Sequence, residues 1–205
     1  MTVGPTEPAP ASDPEVVPPR KPRKIFLLLG VVVAIGLGIG LFTSVGTNKS
    51  SSPPHAGGAL PSFSGTDLNG TGQVTVPADG VGNGTAGVVL FFGNWCSVCH
   101  TELPPLASAV RQQDHAGGAL SKLEVIGVDS EDTTANAKHF IQTSKVSFPV
   151  AYDPNLTITS GAFYFEGDPH AVFVNANGTI NSIVSGPMSA ATFIAHEKRL
   201  IPSGK

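Results

Sequence analysis

Two cysteines in 205 residues, Cys96 and Cys99, are too few for a disulfide framework, so the pair is left for redox, metal or haem chemistry. With no third cysteine, a zinc site would need histidines gathered from distant parts of the chain, and that reading is set aside. Charge is scarce as well. Only 13% of residues are charged, the net charge is −3, and there is no basic stripe, which argues against nucleic acid as a partner. Methionine occurs only at Met1 and Met188, and tryptophan only at Trp95. Between Ile25 and Val45 no charged residue occurs at all.

That uncharged run is apolar and, as a helix rising about 1.5 Å per residue, would span the roughly 30 Å hydrocarbon core of a bilayer. Arg20, Lys21, Arg23 and Lys24 precede it and only Lys49 follows closely, so the N-terminus is expected in the cytoplasm and the rest of the chain outside. The long polar leader and the lack of an A-x-A site favour an uncleaved membrane anchor over a cleaved signal peptide. Residues 1–24, rich in proline and poor in apolar bulk, are expected to be a disordered cytoplasmic tail. Residues 46–60 read as a flexible Ser/Gly/Pro linker, and 61–205 as the folded domain.

Within that domain, Val88 to Phe92 is a continuous β-branched and aromatic run that reads as a fully buried strand, and Cys96 follows after Gly93-Asn94-Trp95. Strand, turn, then CxxC is a redox signature. A helix from Cys96 to about Gln113 would set the two sulfurs one turn apart, with a kink at Pro104-Pro105. Cys96 would then lie at the positive helix end that favours a thiolate, and Cys99 would be drawn back into the first turn. Cys96 is expected to attack and Cys99 to resolve. Cys96-x-x-Cys99-His100 also satisfies the c-type haem attachment string, but the preceding buried strand and the single candidate axial methionine, Met188, argue against it.

The remaining pattern supplies a short hairpin around Asp67 to Gly72 and strands at Leu123–Val128, Val150–Tyr152, Ala171–Asn175 and Thr179–Ser185, the last two joined across Asn177-Gly178. Helices are expected at Thr133–Ser144, capped by Asp132 or Thr133, and after Ser189. Leu156–Phe165 is open between strand, helix and loop. The order predicts an α/β fold: a mixed sheet with helices on both faces, preceded by an N-terminal hairpin and a single transmembrane helix.

Trp95-Cys96-x-x-Cys99-x-x-Glu102-x-Pro104 resembles the TlpA/ResA-like family of membrane-anchored, extracytoplasmic thioredoxin-fold proteins, related to AhpC/TSA. The likeness extends from Pro61-x-Phe63 through Ile126-Gly-Val-Asp129 and Phe148-Pro149 to Gly167-x-Pro169. It implies a thiol–disulfide oxidoreductase, a protein-disulfide reductase in an otherwise oxidising space, fed by a membrane thiol donor and with apocytochrome c as one target in cytochrome c maturation. No cofactor is implied beyond the redox-active Cys96–Cys99 disulfide. Trp95 would be an apolar shelf beside the sulfur, Pro169 a cis-proline facing it, and Asp168 and His170 its flanks on the substrate side. Glu102 would be a buried proton relay; as a bare sequence feature it is equally a first-turn glutamate facing the helix dipole. Asp168 departs from the small or apolar residue usual before that proline, and Leu90 stands where ordinary thioredoxins carry a buried aspartate. Carboxylates at 168 and 102 would disfavour the thiolate and push the potential down, whereas His100 and His170, if protonated, would oppose them. A disulfide-forming oxidase or isomerase and a redox-inactive peptide-binding module are the alternatives on the same fold.

Overall fold

In the computed structural model, residues 52–77 and 80–202 are described. The tail, the Ile25–Val45 run and the start of the linker, residues 46–51, lie outside them. Among the described residues no helix is long and apolar enough to cross a membrane.

Seven strands form one sheet in the order β2-β1-β5-β4-β3-β6-β7: β1 Phe63–Asp67, β2 Gln73–Val76, β3 Gly87–Phe92, β4 Glu124–Ser130, β5 Val150–Asp153, β6 His170–Val174 and β7 Ile180–Ser185. Every residue of β3 is buried, which is why its sequence shows no alternation. It pairs parallel with β4 and antiparallel with β6, so its apolar side chains are covered on both faces and at both edges. Because β3 and β4 run the same way and β6 runs against them, the ends of β3 and β4 and the start of β6 converge at one end of the sheet. Phe92 pairs with Asp129 there, and Phe91 with His170.

Among the described residues three α-helices follow the pattern of the sequence: α1 Cys99–Ala116, α2 Thr134–Thr143 and α3 Ala190–Leu200. Thr133 caps α2 by accepting the Asn136 N–H at 3.3 Å, and Ser189 caps α3 by accepting that of Thr192 at 3.1 Å. α1 runs unbroken through Pro104 and Pro105, whose missing N–H groups remove the helical bonds to the carbonyls of His100 and Thr101, both exposed residues of the first turn.

The buried residues of all three helices join one core with Val88, Leu90 and Phe92. Among the described residues the opposite face carries no α-helix, where helices on both faces were expected. It is covered by Leu156–Phe165, wound into successive turns by bonds such as Ala162 N–H to Ile158 O at 3.0 Å and Phe165 N–H to Thr159 O at 3.0 Å. Asp153 starts these turns by accepting the N–H groups of Ile158 and Thr159. Leu156 and Tyr164 take left-handed φ values of 58° and 57°, which is incompatible with a continuing helix. The folded part also begins earlier than Pro61. Gly57 and Leu60 donate to Ile180 and Gly178, so the last residues of the expected linker are tied to the start of β7.

Phe163 anchors the turn segment: it is fully buried, with edge-on contacts to Phe63 at 5.8 Å and Phe91 at 4.8 Å between ring centroids. Phe163→Ala is expected to cost about 3–5 kcal/mol, read as a shift in the urea midpoint at unchanged slope. A loss under about 1 kcal/mol would show that the segment is not part of the cooperative core.

Candidate active site

Cys96 and Cys99 are disulfide-bonded with Cα atoms 5.3 Å apart, at the converging end of the sheet. The helix begins at Cys99 rather than Cys96, because Gly93 to Val98 is still turning out of β3: Cys96 N–H donates to Gly93 O and Cys99 N–H to Cys96 O. The electrostatic expectation survives the shift. Cys99 N–H, the first N–H of the helix, also lies 3.2 Å from Cys96 Sγ and favours charge on that sulfur. Cys99 is 1% exposed and Cys96 5%, so Cys96 is the more open of the two.

Trp95 precedes it in the chain, is 45% exposed, and donates its indole N–H to Ser130 O at 2.8 Å. Gly93 makes room for this: a Cβ there would sit 2.8 Å from Trp95 Cδ1 and 2.9 Å from Ser130 O. Val98 is also exposed, so an apolar rim flanks Cys96.

The opposite wall is the loop entering β6. The Asp168–Pro169 bond is cis, as is Val76–Pro77, which the sequence reading did not single out. The Asp168 carbonyl oxygen lies 3.6 Å from Cys96 Sγ. Its side chain accepts the Ser130 hydroxyl through Oδ2, while Oδ1 is buried without a partner among the described residues. Burial, more than the nearby acidic residues Asp153, Glu131 and Asp132, pushes Asp168 up to about 6, against the lowering effect of Ser130. His170 is stacked on Phe165 with centroids 4.0 Å apart, and burial lowers its pKa. It is therefore neutral near pH 7 and does not oppose the carboxylates. His100 turns to the surface, its Nε2 2.7 Å from Asn94 O.

Glu102 is buried behind the disulfide. Oε1 accepts the Met188 N–H at 3.2 Å, and Oε2 has no partner among the described residues. Desolvation raises its pKa, partly offset by that bond. It lines a cavity of about 10 Å³ with Cys99, Leu103, Pro169 and His170, close to the lower bound for one water. A glutamate serving only the helix dipole would face solvent; this one is buried on the Cys99 side of the core.

Three residues of the site were not legible in the sequence. Ser130 holds both Trp95 and Asp168, Asp132 accepts the Asn94 N–H instead of capping α2, and Asp129 is fully buried beside them. The acidic run Asp129-Ser130-Glu131-Asp132 was the one available signal.

Residues 56–183 match the AhpC/TSA family. The chain is 25% identical over 173 residues to the thiol-disulfide oxidoreductase ResA of Bacillus subtilis, covering 83% of this chain and 89% of that one. Among solved structures, a putative protein disulfide isomerase from Bacteroides thetaiotaomicron superposes with a TM-score of 0.62 at 21% identity, covering 74% of this chain and 92% of that one. A secreted Mycobacterium tuberculosis disulfide oxidoreductase homologous to E. coli DsbE does so at 0.57 and 20% identity, covering 67% and 96%.

The buried carboxyls set a pH dependence of stability. Asp129 is pushed up to about 8, Asp168 to about 6 and Glu197, packed under Gln113, to about 7. In each case the folded state holds a proton that the unfolded chain releases near pH 4, so stability falls as pH rises from about 4 through these folded values. Urea midpoints of the domain are expected to decline steadily from pH 5 to about 8 and then level. A midpoint that rises over this window would overturn the burial of these groups.

Proposed function

The chain belongs to the AhpC/TSA family and is a thiol–disulfide oxidoreductase, and we propose that it works as an extracytoplasmic, membrane-tethered reductase of protein disulfides. The observation that carries the reading is the asymmetry of the pair: Cys96 faces the cis-proline loop and the exposed Trp95–Val98 rim, while Cys99 sits buried over Glu102.

In the reduced protein, the Cys96 thiolate attacks a substrate disulfide, forming a mixed disulfide and releasing one substrate thiolate. An unfolded polypeptide fits the approach, since the rim is apolar and the loop entering β6 offers backbone groups beside the sulfur. The Cys99 proton passes to the Glu102 carboxylate across the small cavity, and the Cys99 thiolate attacks Cys96 Sγ. That expels the second substrate thiolate and leaves the Cys96–Cys99 disulfide, two electrons having passed to substrate. A membrane thiol donor then restores the dithiol. Apocytochrome c, whose haem-binding cysteines must be reduced, is one substrate of suitable chemistry.

The reducing direction is supported by the carboxyls. Asp168, raised only to about 6 and so ionised at neutral pH, lies beside Cys96, Glu102 lies on the Cys99 side, and the neutral His170 does not offset them. Negative charge near Cys96 destabilises its thiolate, which weakens the reduced state and lowers the potential. The tether rests on the Ile25–Val45 run and the basic cluster before it.

Cys99→Ala is expected to accumulate a mixed disulfide with substrate protein on non-reducing gels, and Cys96→Ala none; equal trapping by both variants refutes the roles. Glu102→Gln is expected to raise the midpoint potential by on the order of 10–30 mV, by an amount that grows with pH as the wild-type carboxyl ionises. Equilibration against glutathione at several pH values measures this, and an unchanged potential throughout would remove Glu102 from the site.

A further inference from the structure

In the four residues Asp129 to Asp132, at and just past the end of β4, Ser130 and Asp132 touch both walls of the redox site. Asp132 Oδ2 accepts the Asn94 N–H at 2.5 Å and Ser130 O accepts the Trp95 indole N–H, so together they hold the turn that bears Cys96. The Ser130 hydroxyl donates to Asp168 and holds the loop whose carbonyl lies beside Cys96 Sγ. The segment is itself pinned to β5. Glu131, at a left-handed φ of 58°, donates its N–H to Asp153 O, and the Tyr152 hydroxyl donates to Asp132 O.

Asp129 starts this segment and is the part that hydrogen bonding leaves unexplained. Its side chain is 0% exposed, and neither carboxyl oxygen has a hydrogen-bond donor among the described residues. The groups acting on it and on its acidic neighbours are Glu131 and Asp132 on the same segment, Asp153 at the end of β5, Asp168 on the loop entering β6 and His100 on α1. Its register partner on β3, Phe92, is apolar, and α2 meets this face through Phe140. The Asp129 and Asp132 side chains interact directly; two carboxylates so placed repel with little solvent to screen them, whereas one proton between them turns the repulsion into a hydrogen bond.

We propose that Asp129 is a positioning residue of the redox site: the proton it shares with Asp132 keeps the Asp132 carboxylate on the Asn94 N–H and the Cys96 turn closed against the cis-proline loop, and loss of that proton releases the turn. The proposal rests on the reading of Cys96 as the attacking sulfur. Burial, with Asp132 and Asp168 nearby, pushes Asp129 up to about 8. The turn is therefore held below that pH and loosens as pH rises through it.

Trp95 is the only tryptophan of the chain and is bonded to the same segment, so its fluorescence reports the turn. In the oxidised full-length protein in detergent neither cysteine titrates. The wild type is expected to show a fluorescence transition with a midpoint near pH 8, and Asp129→Asn, a neutral donor of the same shape, to stay at the low-pH signal throughout. Asp132→Asn removes the facing charge and is expected to move the midpoint down. In the reduced protein, the rate of Cys96 alkylation is expected to depart from a single ionisation curve above the same midpoint in the wild type, and to follow one in Asp129→Asn. A wild type without the fluorescence transition, a transition unchanged in Asp129→Asn, or an alkylation profile indifferent to Asp129 would each overturn the proposal. None of these readouts uses a protein substrate, so failure of the mixed-disulfide trap and failure here are separable.

Discussion

The redox site exists because β3 is buried on every side. A strand with β4 parallel on one edge and β6 antiparallel on the other can end only where β4 also ends and β6 begins. The three segments that leave this end are the turn bearing Cys96, the acidic run Asp129–Asp132 and the loop carrying Asp168 and Pro169. They meet because strand pairing leaves them nowhere else to go, and the apolar side chains of Val88 to Phe92 supply the burial that makes the pairing stable. The chemistry therefore sits on rigid elements, with Cys99 in the first turn of a helix whose Leu103, Leu106, Ala107 and Val110 pack in the core.

The same burial shapes the electrostatics. Carboxyls brought to this end of the sheet lose solvent, and Asp129, Asp168 and Glu102 all hold protons more tightly than free carboxyls do. A carboxyl titrating near neutral pH can accept and return a proton at little cost, which suits an exchange reaction that releases and takes up thiol protons. It also makes the reduced pair's energy sensitive to pH through more groups than the two sulfurs. The stability lost by burying these groups is the counterpart of that sensitivity, since the fold carries partly protonated acids where apolar residues would pack at lower cost.

Much of the frame was open to a linear reading. The unbroken apolar run of β3, the Thr133 and Ser189 caps, the Asn177-Gly178 turn and the CxxC that follows the buried strand are local patterns, decided by side-chain type at fixed spacing. One boundary was misplaced and one segment left open, both for physical reasons. The helix starts at Cys99 because the chain spends Gly93 to Val98 turning off the sheet, and Leu156–Phe165 covers its face in turns because left-handed residues at both ends of the segment break any regular helix.

The sequence by itself determined which atoms can react, Cys96 and Cys99, and the strand–turn–helix order that presents them, because both follow from residue type and short-range spacing. Only the tertiary structure decided what surrounds the sulfurs. Ser130 reaches across 35 positions to Trp95 and 38 to Asp168, Asp132 reaches 38 to Asn94, and Glu102 meets Met188 across 86. Those contacts arise from the parallel pairing of β3 with β4 and the return of β6, and no periodicity within a segment encodes which carboxyl will lose its water there.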